Sequence, residues 1–481
     1  MGSRVAATSD EEGRVPGSLT AIVGVALVAA AAYCVWSAVS SARTPQGAVA
    51  WAIFLVAAPW VAVPAYAVLG QHKLRPHRMS HRRSLAVTQG IGLPSPDDTA
   101  RASERMRVFS SLAELPSMPG NSADLLIDGD ATFDTIFEAI DAAERYALVQ
   151  FYTIEDDDLG RAFADHLVAA AERGVKVRLL CDRVGSYGLP ASYRRRLLDA
   201  GVDFPDPASR RPRSSRSRIN FRNHRKTVIV DGHWAAIGGH NVADLYLGRD
   251  PQMGHWRDTH LALRGPIVSQ LQLGFVQDWH WQTGEELGDA LDWSPETVPG
   301  GVDAVTVLMG PADKHDTGAL FYFAAITRAR RRVWIATPYV VPDVDTLSAL
   351  KSAALDGCDV RLLMPARVDH YLPWLAAFAF FDELREAGVQ IHRYREGFLH
   401  QKVVLVDDDL TGIGTANLDN RSFRLNFETM VMIEDPGFAA RTEAMLRLDM
   451  EASDLLETPL AQQPLWMQVG ARLARLFAPV L

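Results

Sequence analysis

The feature that most limits what this chain can fold into is a pattern that occurs twice. FRNHRKTVIVDG, from Phe221 to Gly232, and FLHQKVVLVDDD, from Phe398 to Asp409, each place a His, a Lys two residues on and an Asp five beyond that. These are His224, Lys226 and Asp231 in the first copy and His400, Lys402 and Asp407 in the second. Two apart on a β-strand is one face, so each His and Lys are expected to point together, with the Asp at the strand's end facing the other way. One copy alone reads as a surface strand entering a turn. The copies, however, continue in step. Asp231 leads to Gly238, Gly239 and Asn241, and Asp407 to Gly414, Thr415 and Asn417; RDTHLALRGP then pairs with FETMVMIEDP, which sets Asp258 against Glu428. Upstream, GVKVRLL at Gly174 matches GCDVRLL at Gly357. The chain is an internal duplication.

The remaining sequence around these motifs alternates strands and helices. RYALVQFYT, LGRAFADHLVAAAERG and VKVRLLCD repeat in order as RRVWIATPYVV, DTLSALKSAALDG and DVRLLMP, the alternation of an α/β architecture. The acidic run Glu155 to Asp158 is expected to cap the helix near Leu159. With 481 residues there is room for two or three domains. A net charge of −9 argues against general nucleic-acid binding, which needs a basic face. The three cysteines are far apart in apolar or strand-like settings and are expected to be reduced.

The first part of the chain reads as membrane-spanning. Pro16 to Ala42 carries no charge, and a helix over about 18–41 is long enough for about 30 Å of hydrocarbon. A second span is expected over about 47–70, with Pro59 and Pro64 tolerated and Trp51, Trp60 and Tyr66 suited to the interfaces. A cleaved signal peptide fits poorly with the acidic start and the second span. Only Arg43 lies between the spans, whereas Lys73, Arg75, Arg78, Arg82 and Arg83 follow them, so both ends are expected on the cytoplasmic side. The expected domains are 1–84, a linker over 85–107, then 108–295 and 296–481. The run PASRRPRSSRSR, Pro207 to Arg218, reads as a solvated loop or as a grip on lipid phosphates. The stretch from Leu465 to Leu481 is compatible with lying on a bilayer or packing on the second domain.

Two His-Lys pairs meeting across one cleft are suited to a phosphodiester. Lys226, Lys402, Asn241 and Asn417 would hold nonbridging oxygens. A neutral imidazole would attack phosphorus and a protonated one deliver a proton to the departing alkoxide. Asp258 and Glu428 would each fix a ring tautomer, while Asp231 and Asp407 read as structural by parity. Lys is no metal ligand and already supplies positive charge, so neither metal nor cofactor is expected. His240, His260, His280, His315 and His370 lack partnered spacing and read as packing or solvent-exposed residues.

These residues resemble the phospholipase D superfamily, whose HxKxxxxD motif with a downstream Gly-(Gly/Ser/Thr)-x-Asn is present twice, intact. FRNHRK, WRDTHL, TPYVVP, GFLHQK and NLDNRSFRLNFE, with the paired spans, are similar within it to the bacterial cardiolipin synthases. The resemblance implies two duplicated α/β/α domains with pseudo-twofold symmetry behind a two-helix transmembrane hairpin, in the bacterial inner membrane. It implies a catalytic motif set of His224, Lys226, Asp231, His400, Lys402 and Asp407, with Asn241, Asn417, Asp258 and Glu428 binding or supporting, and His224 as nucleophile by analogy. It also implies phosphatidylglycerol and anionic lipids as partners, no nucleic acid, and cardiolipin plus glycerol as products; oligomeric state is left open. Hydrolysis to phosphatidic acid uses the same residues, phosphatidylethanolamine is an alternative donor, and a noncatalytic scaffold is disfavoured by two complete motifs.

Overall fold

The computed structural model describes residues 17–41, 45–69, 103–206 and 221–481, and the chain divides into two compact units, 1–79 and 80–481. In the first, Gly17–Ser41 is one helix, of which Ala21–Ser40 is long and apolar enough to cross a membrane. The span expected over 47–70 is divided instead into Pro45–Ala57 and Pro59–Leu69. Pro59 has no N–H to donate into the preceding turn, and its ring crowds the residue before it, so the helix breaks at Ala58. Both pieces pack on the long helix. Cys34, Ala38, Leu55, Ala62 and Tyr66 form the buried seam, where the Tyr66 hydroxyl lies 3.1 Å from Ser37 Oγ. The basic cluster from Lys73 to Arg83, the linker up to residue 102 and the arginine-rich run 207–218 lie outside the described residues. From Ser103 onward the expected linker is anchored: Ser103 Oγ donates to Glu434, Arg105 pairs with Asp407 and Asp409, and Met106 is fully buried.

The second unit is built on a 15-stranded sheet that runs unbroken through both motif copies. Met118–Ile127 and Val302–Met309 pair antiparallel at its middle. Outward from Met118–Ile127 the order is Thr259–Arg264, Trp234–Gly238, Thr227–Val230, Tyr146–Phe151 and Lys176–Cys181. Outward from Val302–Met309 it is Asn426–Glu434, Leu410–Gly414, Val403–Val406, Arg332–Ala336 and Asp359–Pro365, with Gln390–Tyr394 and Ser453–Leu455 beyond. The two motif strands, TVIV at Thr227–Val230 and VVLV at Val403–Val406, are buried at every residue. Such runs without polar alternation belong to strands covered on both faces.

Helices supply those covers. Ile267–Thr283 is buried continuously from Ile267 to Trp279, and its buried polar residues are bonded: Gln270 donates to the Pro116 carbonyl, Gln272 to the Asp292 carbonyl, and Asp278 pairs with Arg225, as buried polar groups require. With Pro436–Glu451 it closes one face through a core that draws residues from both motif copies, Ile229 and Leu261 alongside Leu405 and Val431. The other face has two separate cores, one around Phe163 and Leu167 and one around Phe321 and Phe381. In the first, Asp158–Glu172 buries Leu159, Phe163, Ala164, Leu167 and Ala170, and Asp157 caps it by accepting from the Gly160 N–H.

Candidate active site

Neither His-Lys pair lies within a strand. His224 and Lys226 precede Thr227–Val230, and His400 and Lys402 precede Val403–Val406, which corrects the expectation of His and Lys side by side on the strand itself. Each histidine is set by a short parallel ladder to the other half. Arg222 and Asn223 pair with Asn426 and Phe427, and the ladder is extended where the His224 N–H donates to the Phe427 carbonyl at 2.9 Å. Likewise Gly397–Leu399 pairs with His255–Arg257, and the His400 N–H donates to the Arg257 carbonyl at 2.8 Å. The next residue on each partner strand is a carboxylate, so the rings meet acids from the opposite copy: His224 Nδ1 lies 2.9 Å from Glu428 Oε2, and His400 Nδ1 lies 2.7 Å from Asp258 Oδ2.

The two carboxylates are seated differently. Glu428 is fully buried and also accepts from Thr415 Oγ1 at 2.6 Å, Ser422 Oγ at 3.0 Å and Asn426 Nδ2 at 3.0 Å. Asp258 accepts from the Thr259 N–H at 2.8 Å. Gly239, at the motif position of Thr415, leaves room for Asp258: a Cβ there would stand 2.0 Å from its Oδ1. The first motif glycines, Gly238 and Gly414, lie against the neighbouring strand, where a Cβ would come within 2.4 Å of the Thr259 carbonyl and 2.1 Å of the Thr429 carbonyl.

Both lysines are completely buried and fold back on their histidines. Lys226 Nζ donates to the His224 carbonyl at 2.7 Å, and Lys402 Nζ donates to the His400 carbonyl and lies 3.0 Å from His400 Nδ1. Burial brings Lys226 down to about 7 and Lys402 to about 8. Burial, then the Lys402 charge, brings His400 down to about 3; burial also lowers His224, against the opposing pull of Glu428. Although burial alone would raise them, His240, His400 and Lys402 beside Asp258, and His224 and Lys226 beside Glu428, hold both carboxylates below their usual range. The site thus holds two lysines of lowered proton affinity facing two ionised carboxylates, and an anion placed by the lysines would favour their charged forms.

The asparagines expected to hold phosphate are partly engaged. Asn241 Oδ1 accepts from the Thr153 N–H at 3.1 Å and its amide donates to the Tyr246 hydroxyl at 2.7 Å, leaving one N–H. Asn417 is buried, with no hydrogen-bond partner for Oδ1. Asp231 and Asp407, counted with the catalytic motif set, are held away from the rings at the far ends of the motif strands. Asp231 accepts from the N–H groups of Glu144, Arg145 and Tyr146, and Asp407 from those of Arg330, Arg331 and Arg332. Both sit at φ 52°, a left-handed conformation that Asp tolerates better than most residues. They fasten one strand to the start of the next.

Several supporting residues carry no sequence signal of their own. Arg225, between His224 and Lys226, pairs with buried Asp278 at 2.8 Å, which also accepts from Gln150 and Asn223. In the second copy Gln401 donates to Asp449 at 2.8 Å, and Asp449 pairs with Arg257 at 2.6 Å. The duplicated spacing could have flagged the residue between His and Lys, but not its partner on a distant helix. Aromatic rings wall the imidazoles: Tyr152 is 5.0 Å from His224, and Trp256 is 5.1 Å from His400. His240 and His260 form a buried pair, Nδ1 to Nδ1 at 3.0 Å, while His370 is exposed and stacks on Tyr339.

A duplicated α/β chain that crosses two His-Lys pairs with the carboxylates of opposite copies is a phospholipase D-like phosphodiester-transfer enzyme. A family model described as "Cardiolipin synthase, PLD-like domain" matches residues 136–279 and 322–450. The chain belongs to this cardiolipin synthase family of phospholipase D-like phosphatidyltransferases. It is 44% identical over 461 residues to Cardiolipin synthase A of Pseudomonas putida strain F1, covering 92% of this chain and 95% of that one. Cardiolipin synthase A of Pseudomonas fluorescens strain Pf-5 is 42% identical over 456 residues, again covering 92% of this chain and 95% of the relative. In fold it is similar to the crystal structure of phosphatidylserine synthase from Haemophilus influenzae Rd KW20, with TM-score 0.59 and 15% identity over 79% of this chain and all of that one.

Proposed function

We propose that this chain moves a phosphatidyl group from one phosphatidylglycerol to a glycerol hydroxyl of a second, giving cardiolipin and glycerol through a phosphohistidine. The observation that carries the reading is the crossed seating of the two imidazoles. With each Nδ1 bound to a carboxylate, Nε2 is the ring atom left for chemistry. In the first step His224 Nε2 attacks phosphorus, the bond to the glycerol oxygen breaks, and His400 gives that oxygen a proton. In the second, a hydroxyl of the acceptor lipid loses its proton to His400 as its oxygen attacks phosphorus, and His224 departs. Two displacements retain configuration.

The Lys402 ammonium beside His400 bears on this sequence. Burial and then the Lys402 charge lower the proton affinity of His400; a phosphodiester beside Lys226 and Lys402 offsets the charge and so moves that affinity back toward what the acid role needs. Lys226 and Lys402, with Asn241 and Asn417, hold the nonbridging oxygens. Exchange of one phosphodiester for another is nearly isoenergetic and needs no nucleotide. Both lipids lie in a bilayer, which suits an anchor made of the helix over 21–40 and the kinked pair over 45–69, with both ends cytoplasmic. The two catalytic domains, 108–295 and 296–481, relate by a pseudo-twofold axis at the seam of the sheet.

The test is incubation of the purified chain in vesicles with headgroup-labelled phosphatidylglycerol as the sole lipid substrate. Cardiolipin with one glycerol released per molecule is the expected result. Phosphatidic acid would make it a hydrolase, and product only on adding phosphatidylethanolamine would change the donor.

A further inference from the structure

The C-terminal helix Leu465–Arg475 carries apolar residues on two sides. One stripe, Met467, Ala471, Ala474 and Ala478, is buried, and the helix packs on Tyr371–Glu386. A helix resting on a protein surface turns polar residues outward. This one turns out Leu465, Trp466, Val469, Leu473 and, just beyond, Leu476 and Phe477, with Leu465 74% and Leu476 75% exposed. Its neighbour extends the patch, since Tyr371 and Leu372 are exposed and Trp466 stacks on Trp374 at 6.4 Å. In a chain of net charge −9, the stretch from Leu465 to Leu481 has no acidic residue, only Arg472 and Arg475.

We infer that this face lies in the plane of an anionic phospholipid surface, and that it seats the catalytic cleft against the bilayer. Leucine, tryptophan and phenylalanine beside arginine are the composition that partitions into the headgroup boundary. The location fits the task. The Leu481 carbonyl accepts from the Arg421 N–H at 2.6 Å, and the adjacent Ser422 hydroxyl donates to Glu428 at 3.0 Å, the residue that holds His224. The patch thus ends beside the wall of the site, where a lipid headgroup must arrive. Arg475 pairs with Glu383 of the neighbouring helix at 3.1 Å, which leaves Arg472 as the cation of this face that would meet an anionic headgroup. The inference rests on the lipid substrate proposed above.

The experiment uses the full chain in vesicles of phosphatidylglycerol and phosphatidylcholine, with Cys34, Cys181 and Cys358 replaced by Ala and a nitrobenzoxadiazole label on L473C. Blue-shifted emission, quenching by a nitroxide high on the lipid chain and protection from aqueous acrylamide are expected. Quenching by acrylamide alone overturns the inference, and protection from both quenchers overturns it in favour of a protein contact. The variant L473Q/L476Q should lose about tenfold of its rate on vesicles and keep it on monomeric dihexanoyl phosphatidylglycerol. Equal loss on both substrates would mean that the side chains serve only folding. A label quenched from the lipid side in a protein that makes no lipid product would leave the docking intact and sink the substrate reading instead.

Discussion

Glu428 holds the imidazole of His224, a residue of the other motif copy 204 positions away, at 2.9 Å. Asp258 holds His400 at 2.7 Å across 142 positions. Each half of the duplication therefore lacks its own orienting carboxylate, and neither motif copy can position a histidine alone.

This crossing predicts separable defects. Glu428→Gln removes the charge that steadies His224 and should lower phosphoenzyme formation about a hundredfold or more. Asp258→Asn disables His400, so any phosphoenzyme that forms should persist and await the second step. Rapid-quench trapping of acid-labile phosphate on the protein distinguishes the two; identical kinetics in both variants would argue against the assigned roles.

The unequal seats of the carboxylates predict unequal tolerance. Thr415→Val takes one of four donors from buried Glu428 and should cost about 1–3 kcal/mol, seen as a lower Tm with partial activity. Gly239→Ala, whose Cβ would stand 2.0 Å from Asp258 Oδ1, must displace the carboxylate and should behave kinetically like Asp258→Asn.

Arg225 and Asp278 form a buried pair, 3% and 2% exposed. Asp278→Asn leaves a guanidinium without its counter-charge and should destabilise the chain by about 3–5 kcal/mol. Replacing both by a methionine and a leucine should recover much of that loss. Thermal unfolding in detergent, run with activity on the survivors, measures it.

Proton linkage gives a pH prediction. Lys226 and Lys402 have their proton affinities lowered to about 7 and about 8 by burial, and a bound phosphodiester favours their charged forms. Binding of glycerophosphoglycerol, whose charge is constant over the range, should weaken as pH rises past 8, by up to about tenfold per pH unit for each proton taken up. The same shifts act on folding: a lysine less basic in the folded state than in the unfolded chain opposes folding at neutral pH, and that opposition fades as pH rises toward its unfolded value. Isothermal titration at several pH values checks the binding sign; affinity rising with pH would contradict it.

The duplication, the α/β alternation and the candidate histidines, lysines and carboxylates were legible from sequence, because strand spacing, apolar runs and repeated motifs are local properties. Asp359–Pro365 and the helix capped by Asp157 were legible for that reason. Who partners whom came from the docked fold. Parity could turn Asp231 and Asp407 away from the histidines, but it could not show that they clasp backbone N–H groups of the neighbouring strand. Spacing could match Asp258 with Glu428, but their crossing depends on the short parallel ladders at residues 222–223 with 426–427 and 397–399 with 255–257. Those ladders form only after the halves have docked. Arg225 and Asp278, or the outward leucines of the last helix, acquire meaning in the same way, since a buried pair and an uncovered face are defined by what the rest of the chain places, or leaves out, beside them.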